Sequence, residues 1–238
     1  MTPEPVGGKL ADMGRPYRAA LGGYVYHMLN RANGRLPIFQ KDDDYAAFER
    51  ILGEALEHVP GMRLLAYCVL PNHWHLVVWP RHDGELSDFG HWLTLTHTQR
   101  WHAQYHDVGM GHLYQGRFRS FPVARDDHFL RLCRYVEGNA LRAKLVRRAE
   151  AWRWGSLWQR QQEPRPEKWI LSDWPLAMPA NWVEEVNRGQ TEAWRPCVAV
   201  CSGGSPTAPR LGPSASRCAW VWKARCGLGD GRGSKERW

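Results

Sequence analysis

The sequence predicts an α+β fold, an antiparallel sheet with helices on one face, and three observations carry the prediction. Leu64 to Leu70 and His73 to Trp79 are apolar runs joined by Pro71-Asn72, which is turn chemistry, so together they read as a hairpin. Phe129, Leu132, Cys133, Val136 and Ala140 recur at helical spacing. Strand and helix signals then alternate along the chain, as packed layers of sheet and helix require.

In order, the strands fall at Tyr24 to Leu29, Arg63 to Leu70, His73 to Trp79 and Ser120 to Ala124. The helices fall at Asp43 to Val59, Glu85 to Tyr105 and Asp127 to Arg147. The last begins at Asp126-Asp127, whose carboxylates cap a helix and suit the positive end of its dipole. Residues 1–19 read as a flexible N-terminus. Residues 159–193 form a Pro- and Trp-rich extension with a loop at Glu163 to Pro166 and a short helix from Trp182 to Gln190, and 194–238 a disordered basic tail. No internal repeat is visible.

Alternation places His73, His75 and Val77 on one face of their strand and Trp74, Leu76 and Val78 on the other. Two imidazoles on an otherwise apolar strand need partners, because buried polar groups must be satisfied. They are either a core pair or a ligand pair. Tyr135 and Asn139 share a helix face with Arg131 and Arg142, spaced four, four and three residues apart. If the two faces meet, the asparagine oxygen completes a two-histidine metal site and the tyrosine oxygen stands beside it as a nucleophile for a phosphate. A phenol, with an ordinary pKa of about 10, needs a metal or nearby positive charge for that role. Tyr114 is a rival, since it also lies beside Arg117 and Arg119. It sits on a glycine-punctuated loop, which positions a nucleophile less rigidly than a helix, so it reads with Gln115 as a DNA or structural contact.

The net charge is +8, of which the segment from Arg195 to Trp238 supplies +6. Within the body, Arg117 to Arg148 holds nine basic residues against Asp126, Asp127 and Glu137. Arg117, Arg119, Arg131, Arg134 and Arg142 therefore gather where a phosphate backbone would lie, and are the candidate DNA contacts. Trp92, Trp101, Trp152, Trp154 and Trp158 read mostly as packing, with base stacking open to one or two. No run approaches a membrane helix and no apolar signal core opens the chain, so a cytoplasmic, nucleoid-associated protein is expected. Cys68 and Cys133 fall in the expected core. Cys197, Cys201, Cys218 and Cys226 lack the spacing of a zinc knuckle.

At this point the chain resembles the REP-associated tyrosine transposases, relatives of the single-tyrosine transposases of the HUH superfamily. The resemblance runs through Gly22 to His27, Asn30-Arg31, Ile38-Phe39, Leu70 to Val77 with its Pro-Asn-His-Trp-His core, Gly116 to Val123, Arg134 to Ala143 and Trp152 to Trp158. It covers about residues 20 to 190. It implies a ferredoxin-like catalytic domain over 20–158, Tyr135 as nucleophile, and His73, His75 and Asn139 as ligands of a divalent metal, Mg2+ or Mn2+. One small departure is Ala140, where relatives often carry proline.

The activity implied is metal-dependent cleavage and strand transfer of single-stranded or hairpin DNA from repetitive extragenic palindromes, through a 5′-phosphotyrosine, by a monomer or homodimer. No nucleotide cofactor is implied, and no phosphate-binding glycine loop is present. The alternatives are a hairpin-binding module without cleavage and a metal-dependent hydrolase without a covalent intermediate. Relatives commonly end in a basic segment that this chain lacks. Yet Arg217 to Leu228, back-translated and read from each codon's third base, permits Leu-Arg-Leu-Gly-Leu-Glu-Ser-Thr-Leu-Arg-Pro, which resembles that segment. A frameshift near Glu192 to Arg195 is one reading of the tail and a divergent glycine-rich basic tail is the other, and the coding DNA would decide between them.

Overall fold

The computed structural model describes residues 20–106, 109, 111–123, 127–165 and 169–188. The tail, with the frameshift reading that falls on it, the four C-terminal cysteines and the N-terminal 19 residues lie outside these. Four strands, β1 (Val25–Arg31), β2 (Arg63–Leu70), β3 (His73–Trp79) and β4 (Arg119–Val123), form one antiparallel sheet in the order β2-β3-β1-β4. Helix α1 (Asp42–His58) links β1 to β2, and α2 (Glu85–Tyr105) links β3 to β4. That connectivity is ferredoxin-like, and it leaves β3 central. β1 runs two residues beyond its expected end because Asn30 and Arg31 pair with Trp74 and His73.

The helices cover both faces of the sheet, which corrects the one-faced expectation. Tyr26, Met28, Tyr67, Val69, Trp74, Leu76 and Val78 point into a first core with Phe48, Ile51 and Leu52 of α1 and Phe89 and Leu93 of α2. On the other face Val25, Ala66, Cys68, Leu70 and Val77 meet Phe129, Leu132, Cys133 and Val136 of α3 (Asp127–Glu137). The physical cause is in β2, whose residues from Leu64 to Leu70 are all buried. A strand buried on both faces reads as an unbroken apolar run and needs a layer on each side. Helix α2 lies close on the first face at Gly90, where an added Cβ would stand 2.2 Å from the Phe118 ring.

The third helix also ends sooner than Arg147. α3 stops at Glu137, Gly138 intervenes, and a short α4 (Asn139–Arg142) follows. Glycine is a poor interior helix residue, and Glu137 is held from outside the helix. Its buried carboxylate accepts from Ser156 Oγ (2.6 Å) and Trp182 Nε1 (2.6 Å), with Arg160 Nε at 3.5 Å. Ser156 lies at the start of α5 (Ser156–Arg160) and Trp182 at the start of α6 (Trp182–Asn187), and Leu157, Trp182 and Val186 of these helices are buried in the second core. Leu65, where the β2–β3 register shifts, lends its carbonyl to Arg160 Nη2 (2.5 Å) and Trp174 Nε1 (2.7 Å). Among the described residues no helix is long and apolar enough to cross a membrane.

Candidate active site

The second face of the sheet carries the candidate site. β3 presents His73 and His75 there, and α3 crosses it with Tyr135. The two imidazole centroids stand 5.1 Å apart at 79°, and the Tyr135 ring meets His75 edge-on at 5.7 Å. Gly138 N–H donates to Arg134 O and Arg142 N–H to Gly138 O, both at 3.0 Å. These bonds carry the helical path across the break, so the four-residue spacing from Tyr135 to Asn139 survives it.

A third histidine completes the cluster, and sequence reasoning gave it no role. His27 of β1 is 1% exposed, its Nε2 lies 2.9 Å from His75 Nδ1, and its ring meets Tyr135 at 6.0 Å. Its signal was available: it alternates with Leu29 and Arg31 on a strand that pairs with β3. Arg31, the strand partner of His73, was passed over as well.

Burial sets the protonation of the cluster. Desolvation pushes His27 down to about 3 and His73 down to about 4, the latter helped by the Arg31 charge. His75 is driven well below the ordinary range by burial first, then by His27, His73 and Arg142. All three imidazoles are neutral at neutral pH, the form that ligates a metal. His73 Nδ1 is 2.6 Å from Asn72 Oδ1 and His75 Nδ1 faces His27. Both rings thus have Nδ1 engaged, and among the described residues neither Nε2 has a hydrogen-bond partner.

Asn139 is 7% exposed. Its Oδ1 accepts from Arg142 Nη2 and its buried Nδ2 has no partner. The histidines therefore fit a divalent cation with both ring donors, and Asn139 fits it with the second lone pair of its oxygen or through reorientation of its amide. Among the described residues no three His, Cys, Asp or Glu side chains converge as a metal cluster.

The family model of the IS200-like transposases matches residues 21–139, half of the chain, and ends on Asn139. The chain belongs to the IS200-like transposase family. Among the solved structures similar to it are two transposases. One is a REP-associated tyrosine transposase bound to a REP hairpin, 16% identical with a TM-score of 0.47, covering 70% of this chain and 98% of that one. The other is a candidate transposase from Deinococcus radiodurans, 20% identical with a TM-score of 0.36, covering 56% of this chain and 90% of that one. No functionally curated protein matches.

In this transposase the five candidate arginines have different surroundings. Arg117, Arg119 and Arg131 are exposed. Arg119 projects from β4 on the cluster's face, in the same strand register as Leu29 and, beyond it, His75. Arg134 donates through Nη2 to the Arg188 carbonyl at 2.8 Å, tying α3 to the end of α6. Arg142 lies with its guanidinium carbon 4.0 Å from the Tyr135 ring centroid. The rival tyrosine is elsewhere: Tyr114 is in the first core, its hydroxyl 2.7 Å from His97 Nδ1 and 3.0 Å from Trp74 Nε1, and burial raises its pKa. Of the five tryptophans, Trp154 is buried and the Trp101 and Trp152 indoles donate to the Ile38 and Val69 carbonyls, both at 2.9 Å.

Proposed function

We propose that this transposase is a metal-dependent endonuclease and strand transferase of single-stranded DNA that acts on palindromic hairpins through a 5′-phosphotyrosine. The observation that carries the reading is the placement of Tyr135 against two neutral histidines, His27 and His75, with the Arg142 cation over its ring. In this reading the Tyr135 oxygen attacks the scissile phosphorus and gives up its proton. The bond to the 3′ oxygen breaks, and that oxygen departs as a free 3′-hydroxyl after protonation. The phosphodiester energy is kept in the tyrosyl ester, so the reverse attack by a 3′-hydroxyl rejoins a strand without a nucleotide cofactor.

His73, His75 and Asn139 would hold Mg2+ or Mn2+, and the cation would supply several kcal/mol of charge neutralisation at the phosphate. Arg117, Arg119 and Arg131 would receive the DNA backbone. The likeness of the Leu70 to Val77 and Arg134 to Ala143 segments to the REP-associated branch supports hairpins as the substrate class.

A labelled single-stranded hairpin incubated with Mn2+ and resolved on a denaturing gel tests the proposal. The expected result is protein-linked DNA that disappears in Tyr135→Phe, while hairpin affinity stays within about threefold because the arginines remain. Cleavage without an adduct would mean a hydrolase. The hold of Arg142 on the Asn139 oxygen favours a second reading, hairpin binding without cleavage, which the same gel would reveal as bound but intact DNA.

A further inference from the structure

The contact between His27 and His75 joins two neutral imidazoles across adjacent strands, Nε2 to Nδ1 at 2.9 Å, with ring planes 12° apart. One proton lies between them, and its owner decides what His75 can do. If His27 Nε2 donates it, His75 must carry its own proton on Nε2, and the nitrogen on the site side is closed. If His75 Nδ1 donates it, His75 Nε2 keeps an open lone pair, and the proton of His27 resides on Nδ1. His73 faces the same alternative and meets it with a fixed acceptor, since Asn72 Oδ1 can only accept.

We propose that His27 is a positioning residue that accepts the Nδ1 proton of His75 and so holds that ring as the tautomer whose Nε2 can bind a cation. The His27 ring is enclosed by Phe121 at 6.3 Å and by the edge-on Tyr135 ring, and it is almost wholly excluded from water. A ligating histidine that donates its second N–H to a fixed partner has its ring orientation set and its basicity raised. The inference rests on the cation role proposed above for His73 and His75.

Metal-free full-length protein labelled with 15N in histidine gives the direct test, and it needs no loss of function to read. The His75 signals, assigned by their disappearance in His75→Ala, should show a protonated Nδ1 and an unprotonated Nε2. The opposite pattern would overturn the proposal. Titration of Mn2+ by calorimetry supplies the second arm: His27→Ala should weaken binding about 10- to 100-fold, and His27→Gln, whose carboxamide oxygen can accept the same proton, should recover most of the loss. Wild-type affinity in His27→Ala would also overturn it. If His75→Ala leaves Mn2+ affinity unchanged, the metal reading of the site fails instead, while the 15N tautomer still judges the role of His27.

Discussion

The guanidinium of Arg142 lies 4.0 Å over the ring of Tyr135, and the same group donates through Nη2 to the Tyr135 carbonyl at 2.8 Å and to the Asn139 amide oxygen. One cation thus fixes both the proposed nucleophile and the proposed third ligand. A planar guanidinium can stack and donate at once, and a lysine ammonium cannot. Arg142→Lys should therefore lower the single-turnover cleavage rate about 10- to 100-fold, the scale of a small misplacement of a reacting group, while hairpin affinity changes by less than about threefold. A phosphate contact would instead weaken binding and reduce the salt slope by about one. Cleavage kinetics alongside binding at two salt concentrations distinguish the roles.

The two histidines and the asparagine should contribute unequally to cation binding. His73→Ala and His75→Ala each remove a neutral imidazole donor, and Mn2+ affinity should fall more than about 100-fold, beyond the cost of an outer-sphere change. Asn139→Ala removes only a neutral oxygen that Arg142 already occupies, so its loss should be closer to tenfold. Calorimetric titration of the three variants checks the order. Equal affinity in all three and the wild type would make His73 and His75 a packed core pair.

The strands, the first two helices and the meeting of His73, His75 and Tyr135 were legible because their periodicity is strong and local. His73 and His75 alternate on β3, and Tyr135 and Asn139 keep helical spacing. The second helical layer was not read, although the evidence lay in β2: a run with no polar position between Leu64 and Leu70 has no solvent face. The end of α3 was hidden for a different reason. The apolar stripe continues past Gly138 through Ala140, and the clamp that fixes Glu137 comes from Ser156, Arg160 and Trp182, far along the chain. His27 was missed because its partner lies 48 residues away, and a single histidine on a strand carries no pattern of its own.

That clamp should be a major source of stability. Glu137 is buried, and desolvation raises its pKa against the opposing pull of Arg160, Ser156 and Trp182. Removing one member of a buried charged network leaves the others unpaired, which costs about 3–5 kcal/mol. Glu137→Ala should lose stability on that scale in urea unfolding, and Trp182→Phe, which deletes one donor, about 1–3 kcal/mol. Because Glu137 closes the helix that carries Tyr135, Glu137→Ala should also reduce adduct formation in protein that remains folded. Wild-type unfolding midpoints in both variants would show that α5 and α6 do not brace α3.

The buried imidazoles should make the fold sensitive to mild acid, with a sign fixed by their depressed pKa values. Burial holds His27 and His97 at about 3 and His75 well below its ordinary range, whereas an unfolded histidine titrates near 6.5. Above that value both states are neutral and nothing is gained or lost. As the pH falls below it, the unfolded chain takes up protons that the folded chain refuses, so stability present at neutral pH is progressively lost. Between pH 7.5 and 5.5 each of these rings contributes a loss on the order of 1 kcal/mol, and His73, held at about 4, acts in the same sense. Glu49 and Glu137 act in the opposite sense, since their raised folded pKa values let the folded state hold protons that the unfolded state has released. They are two against four, and an unfolded carboxyl titrates near 4.3, so the histidines decide the direction. Thermal unfolding with a chelator present should show a lower midpoint at pH 5.5 than at 7.5, and His97→Gln should flatten the slope by about one histidine's share. A midpoint that holds steady or rises on acidification would mean that these rings accept protons in the folded state.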